Sequence, residues 1–214
     1  MLTSRGGGDF TFLPIISVDT IYSQYNPEIA LTALTILKEH SEISTVIVAV
    51  AVRHLFQITS DSSLDELKSN PNHEAAKNGL SKFIDELAKL NRKIILLVDN
   101  PTLAHSEDCI FRKSTIQALN FLMMRSAKGN CELTYGDHLS QTKKYREILT
   151  GIASNHPQVV AIFDQSPYLC DLESKGICSM TKNGRPLYGF TDHISDYAAG
   201  IIGGNLNQWI QDSR

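Results

Sequence analysis

The chain has 214 residues, of which 42% are hydrophobic and 20% charged, with a formal net charge of -3 at pH 7. That length suits one domain with a full hydrophobic core, and the balance of apolar and charged residues excludes a disordered chain. No lysine or arginine cluster supplies the basic face that phosphate contacts require, which removes nucleic acid as a partner. The longest apolar run, Val46–Val52, falls short of the roughly 18 to 20 residues of a membrane-spanning helix. The opening stretch Met1–Ser17 has no charged n-region, apolar h-region and small-residue cleavage site, so it does not read as a secretory signal.

In chain order, the first predicted strand is Phe12–Ser17, apolar and bounded by turn chemistry. Asn26-Pro27-Glu28 then reads as an N-cap, a proline at the first helical position and an acid on the helix dipole, opening a helix to about His40. A second strand is predicted over Thr45–Val52 and a third over Lys93–Asp99. Between them a helix from about Asn72 to Leu90 places Leu80, Phe83, Ile84 and Leu87 on one face, which marks core. A further helix, from about Gln141 to Ser154, does the same with Tyr145, Ile148, Leu149 and Ile152. The fourth strand is Val159–Asp164, and the last helix starts at Ser195 as N-cap and carries Ala198, Ile201, Ile202 and Trp209. Thr59–Pro71, Pro101–Lys113 and Pro167–Pro186 are polar or rich in turn formers and read as loops.

Short apolar strands alternating with amphipathic helices predict an α/β fold, a three-layer α/β/α arrangement around a mostly parallel sheet. No repeat or linker divides the chain, so one domain over residues 1–214 is expected. In such sheets ligands bind beyond the carboxyl ends of the strands. The residues there are Arg53 and His54 after the second strand, Asn100 beside Asp99 and Pro101 after the third, and Gln165-Ser166 after Asp164. Asp192-His193 stands just before the last helix.

Four cysteines form an even set. Cys170 and Cys178 flank a loop containing Gly176, a spacing compatible with a local disulfide and equally with reduced thiols buried as small hydrophobes. No CxxC occurs and no histidine spacing completes a zinc site, so neither a metal nor a cofactor is expected.

The run of Val159–Asp164, Cys170 to Cys178, Pro186-Leu187-Tyr188, Asp192-His193-Ile194-Ser195 and a helix with Ala199-Gly200 resembles the C-terminal part of the SGNH domains fused to bacterial membrane acyltransferases. Upstream, Val46–Arg53 resembles the family strand that ends in arginine, and Ile94–Pro101 the strand leading to a proline turn. Cys109 and Arg112 also fall where such domains carry a cysteine and an arginine. The resemblance implies a serine nucleophile on the loop after the first strand, with His193 as its base and acyl groups moving to or from saccharide hydroxyls through a covalent ester. It also implies the SGNH-hydrolase or flavodoxin-like form of the fold and an acyl donor delivered by a membrane acyltransferase domain, with a saccharide acceptor; Arg53, His54 and Asn100, by their place after the strands, are the expected substrate-binding residues. The domain would stand on the periplasmic or other extracytoplasmic face, where the cysteines become readable as disulfides.

Two departures from the family pattern matter. The orienting aspartate is expected three residues before the histidine, where this chain has Phe190, and the nearest replacement is Asp192. Residues adjacent in an extended segment point to opposite sides, which works against Asp192 reaching the ring. No Gly-Asp-Ser block precedes the first strand, and Ser4 beside Gly6-Gly7-Gly8 has too few residues before it to be presented by a buried strand. The expectation is therefore a domain truncated at its N-terminus, with impaired catalysis. The competing expectation is a non-catalytic α/β domain that binds a saccharide or a partner. A receiver or flavodoxin-like module would need an acidic cluster or a phosphate loop after its first strand, and neither is present. Asp137-His138-Leu139-Ser140 repeats the wording of the closing motif and is expected to be a capping turn in which Asp137 or Ser140 serves as N-cap.

Overall fold

The computed structural model describes residues 13–17, 20–22, 27–58, 70–102, 131–173, 176–190 and 193–212. In chain order they form α1 (Pro27–Glu39), β1 (Thr45–Ala49), α2 (Val52–Phe56), α3 (His73–Ala88), β2 (Lys93–Val98), β3 (Glu132–Thr134), α4 (Tyr135–Asn155) and β4 (Val160–Asp164). There follow α5 (Ser166–Leu169), β5 (Cys170–Asp171), β6 (Ile177–Ser179), β7 (Thr181–Lys182), β8 (Arg185–Pro186), β9 (Tyr188–Phe190), β10 (His193–Ile194) and α6 (Asp196–Asp212). The fold is α/β, and the chain divides into two compact units.

The first unit comprises Met1–Asp99 with Gln141–Asp164. Its sheet has the order β1-β2-β4, and both pairings are parallel, with Ile47 opposite Ile95 and Ile95 opposite Ala161. In the middle strand Ile94, Ile95, Leu96 and Val98 are all buried, the near-continuous apolar run of a parallel strand covered on both faces. The stripes of α3 and α4 named from periodicity, Leu80, Phe83, Ile84 and Leu87 with Tyr145, Ile148, Leu149 and Ile152, are buried in this core. Arg92 fastens the end of α1, where the last helical carbonyls have no partner within the helix. Its guanidinium donates to Ser41 O at 2.6 Å, Ile43 O at 2.5 Å and Leu37 O at 3.1 Å.

Three sequence expectations change here. The first strand is not one, since residues 13–17 carry no strand pairing and Phe12 lies outside the described residues. Pro14 cannot donate to a ladder, and the segment packs on α3 instead: Leu13 and Ile15 are buried, and the Ile16 N–H donates to Gly79 O at 3.0 Å. Gly79 permits this approach, because a Cβ there would stand 3.3 Å from Ile15 Cβ. The second strand stops at Ala49 rather than Val52, because the Asp99 carboxylate accepts the Val52 N–H at 2.8 Å and starts α2. The helix expected from Gln141 begins at Tyr135. Thr134 supplies the cap: its hydroxyl accepts the Asp137 N–H at 3.0 Å and donates to the Asp137 carboxylate at 2.6 Å. Asp137 and Ser140 are therefore helical residues and not N-caps.

The second unit comprises Asn100–Ser140 with Gln165–Arg214. The stretch read as a loop, Pro167–Pro186, holds α5 and four short strands. Strands of two or three residues are too brief for alternation to reveal. An antiparallel sheet of order β3-β6-β5 sets Cys170 opposite Cys178, and these two form a disulfide. Cys131 is also disulfide-bonded. The β7–β8 hairpin turns at Asn183 and Gly184, with φ of 54° and 72°, the left-handed pair that a tight hairpin needs. On α6, Ala198, Ile202 and Leu206 are buried, while Ile201 and Trp209 are half-buried.

Candidate functional site

His193 opens β10, which pairs with β9 so that His193 lies opposite Phe190 and Ile194 opposite Tyr188, with an irregularity between the two pairs. The imidazole is exposed. Its segment is anchored on both sides. The Tyr188 hydroxyl, itself buried, donates to Pro101 O at 2.7 Å. Beyond His193, the Ser195 N–H donates to Leu187 O at 2.8 Å and the Ser195 hydroxyl donates to Pro186 O at 2.7 Å. The same hydroxyl accepts the Ala198 N–H at 3.2 Å, the N-cap bond expected of Ser195. An imidazole carried on a doubly anchored hairpin and open to solvent can take a proton from a hydroxyl brought to it. Asp192 lies outside the described residues, as do Ser4, Cys109 and Arg112.

Asn100 belongs to the same unit as His193. Its side-chain amide donates to Pro101 O at 3.5 Å, the carbonyl that also receives the Tyr188 hydroxyl. The structure thus ties Asn100 to the strand paired with His193 through one shared acceptor.

Arg53 and His54 stand together on α2 of the first unit, Arg53 half-buried and His54 exposed. They are helical and not strand-end residues; their carbonyls accept the capping N–H groups of Gln57 and Ile58, and the Gln57 amide also donates to His54 O. Other polar groups collect at the carboxyl ends of β2 and β4, as parallel sheets lead one to expect. Asp99 caps α2. Asp164 accepts from Arg146 at 2.7 Å, and Arg146 also donates to the Thr142 hydroxyl at 3.0 Å. The Tyr145 hydroxyl donates to Leu97 O at 3.2 Å, and burial, reinforced by the Asp99 charge, holds the phenol well above its ordinary pKa.

One pairing was not legible in the sequence. His138 Nε2 lies 2.8 Å from the Ser166 hydroxyl, and the two are 1% and 0% exposed. The distance is that of a nucleophile and its base, but a nucleophile must be reachable, and this one is enclosed. The pair instead pins the start of α5 to the first turns of α4. Beside it, Gln165 Oε1 is buried without a hydrogen-bond partner among the described residues. The Asp-His-Leu-Ser wording flagged His138, but nothing in the sequence joined it to a serine 28 positions away.

No described helix is long and apolar enough to cross a membrane. No curated protein and no solved structure matches the chain. A family model described as "SGNH domain (fused to AT3 domains)" matches residues 11–208, a span that includes the anchored His193 hairpin, the disulfide and the parallel sheet. On that match, the chain belongs to the SGNH domains fused to AT3 domains.

Proposed function

We propose that this domain is of the kind that moves acyl groups to or from hydroxyls of a cell-envelope polysaccharide, with His193 as the catalytic base and with turnover impaired because the sequence contains no Gly-Asp-Ser block to supply the nucleophile. The observation that carries the reading is the exposed His193 hairpin, held by Tyr188 and Ser195 in a chain of this family. In the proposed chemistry a serine hydroxyl passes its proton to His193 as its oxygen attacks the acyl carbonyl, and the donor's leaving group departs with that proton. The saccharide hydroxyl then attacks the acyl-serine ester, again losing its proton to His193, and the serine is restored. Asp192 is the candidate to orient the imidazole. Arg53, His54 and Asn100 are the candidates to hold substrate. Fusion of the family to AT3 domains supports a membrane acyltransferase partner that supplies the acyl donor, with this domain on the extracytoplasmic side.

A second reading, a saccharide- or partner-binding domain without turnover, is favoured by one observation. Phe190 occupies the position three residues before His193 and is its register partner, and phenylalanine cannot orient an imidazole. Loss of the orienting acid from a triad costs about 10⁴-fold in rate. Nitrophenyl acetate hydrolysis by the wild type and His193→Ala separates the two. The catalytic reading expects wild-type turnover above background and its loss in the variant; equal background rates leave the binding reading.

A further inference from the structure

We infer that Arg185 stacked on Tyr197 is the acceptor-recognition element beside His193, and that it takes a saccharide bearing a carboxylate. The saccharide class rests on the acyl-transfer reading above; the carboxylate rests on the guanidinium itself.

Arg185 begins β8 directly after the Asn183–Gly184 turn, so a two-residue hairpin fixes its backbone. Its guanidinium carbon lies 4.3 Å from the centroid of the Tyr197 ring. Tyr197 is in the first turn of α6, four residues past His193. Between them Ser195 bonds to Pro186 and Leu187, so the stretch from His193 to Tyr197 is joined to the strand that carries Arg185. These residues belong to one compact unit.

Stacking orders a guanidinium without consuming its donors, because the ring takes its face and leaves its N–H edge. Among the described residues no carboxylate pairs with Arg185, although Asp196 is the immediate neighbour of Tyr197. Its cross-strand partner Lys182 is already engaged, donating to Tyr168 O at 2.9 Å. The result is an exposed, preordered fork whose natural complement is a planar carboxylate gripped by two N–H groups. Ile194, 37% exposed, adds apolar surface of the kind that the C–H face of a sugar ring covers. Asp196, also exposed, can accept a sugar hydroxyl. A uronate unit meets all three demands, whereas a neutral sugar leaves the fork unused.

Titration by calorimetry of the full chain with a short galacturonate oligosaccharide, and with a neutral N-acetylglucosamine oligosaccharide of equal length, tests the assignment. The acidic probe should bind and the neutral one bind at least tenfold more weakly. Arg185→Ala should weaken the acidic probe by about tenfold, the size of a lost charge-assisted pair. Tyr197→Ala should weaken it as well, and Tyr197→Phe, which keeps the ring, should not. Lys77→Ala on α3 serves as the surface control, with affinity unchanged. Circular dichroism confirms that each variant is folded, and Arg185→Lys, which keeps the charge without the fork, should fall between wild type and Arg185→Ala. Failure of the acidic probe to bind wild type, equal affinity for the two probes, or undiminished affinity in Arg185→Ala overturns the inference. Because binding needs no turnover, a protein that binds the uronate but does not hydrolyse nitrophenyl acetate refutes the catalytic reading and the acceptor role with it, and leaves Arg185 as the carboxylate contact of a binding domain.

Discussion

Replacing Ser166 with alanine decides what the buried Ser166–His138 contact is for. The substitution deletes one oxygen, so the cavity left is small and the main effect is electrostatic. His138 is 1% exposed and its Nε2 loses a partner at 2.8 Å in a place where bulk water does not substitute. An unsatisfied buried polar group costs about 1–3 kcal/mol. Against a typical domain stability of about 5–15 kcal/mol, the variant stays folded. Urea denaturation of Ser166→Ala, His138→Ala and the double variant, read at unchanged denaturant slope, should give that loss for the serine. The coupling energy between the two sites should be about 1 kcal/mol. The same preparations are exposed to a fluorophosphonate, which modifies activated serines, and no adduct is expected on Ser166. An adduct mapped to Ser166 in folded wild type, and absent from His138→Ala, would refute the clamp and make the pair a nucleophile and its base.

Three further outcomes follow from the same geometry. Cys170→Ala with Cys178→Ala opens a loop of eight residues' separation, and chain entropy sets the loss at about 2–3 kcal/mol in non-reducing urea titrations. Ser195→Ala removes both the cap to Ala198 and the bond to Pro186, which should lower stability by about 1–2 kcal/mol and speed amide exchange at Ala198. Tyr145 is an acid whose pKa is raised by burial. Its contribution is complete below the unfolded phenol value of about 10 and is lost as the pH climbs above it. Tyr145→Phe should therefore shift the alkaline unfolding midpoint upward, at a neutral-pH cost of about 1 kcal/mol for the bond to Leu97 O. Circular dichroism against pH reads both.

The helices and the parallel strands were legible because burial writes periodicity into the chain. Leu80, Phe83, Ile84 and Leu87 recur at helical spacing and are buried together, and Ile94–Val98 is continuous because β2 is covered on both faces. Residues 13–17 show the limit of that signal. They are apolar for the same reason a strand is, yet they bury against α3, and only Pro14 hinted that no ladder would form. The start of α4 was missed because Thr134 lies in a polar stretch without apolar periodicity, and its capping role depends on the reach of one hydroxyl. Near the candidate site, Ser195 was legible as the N-cap of the last helix. The Tyr188–Pro101 and Ser166–His138 bonds span 87 and 28 positions and leave no local pattern.

Gly79 carries a consequence for how this chain can vary. A glycine in the middle of a helix is ordinarily a weakness of about 1 kcal/mol relative to alanine, and drift would be expected to remove it. Here a methyl at position 79 meets Ile15 Cβ at 3.3 Å and Ser17 Cβ at 3.5 Å, so the gain in helix propensity is set against crowding of the segment that lies across it. The nearest atom is a Cβ, which every residue but glycine keeps, so trimming Ile15 to valine or alanine leaves the contact, and alanine at 79 becomes acceptable only where residue 15 is glycine or the backbone of residues 15–17 gives way. Across relatives, glycine at 79 should therefore persist whatever side chain stands at 15.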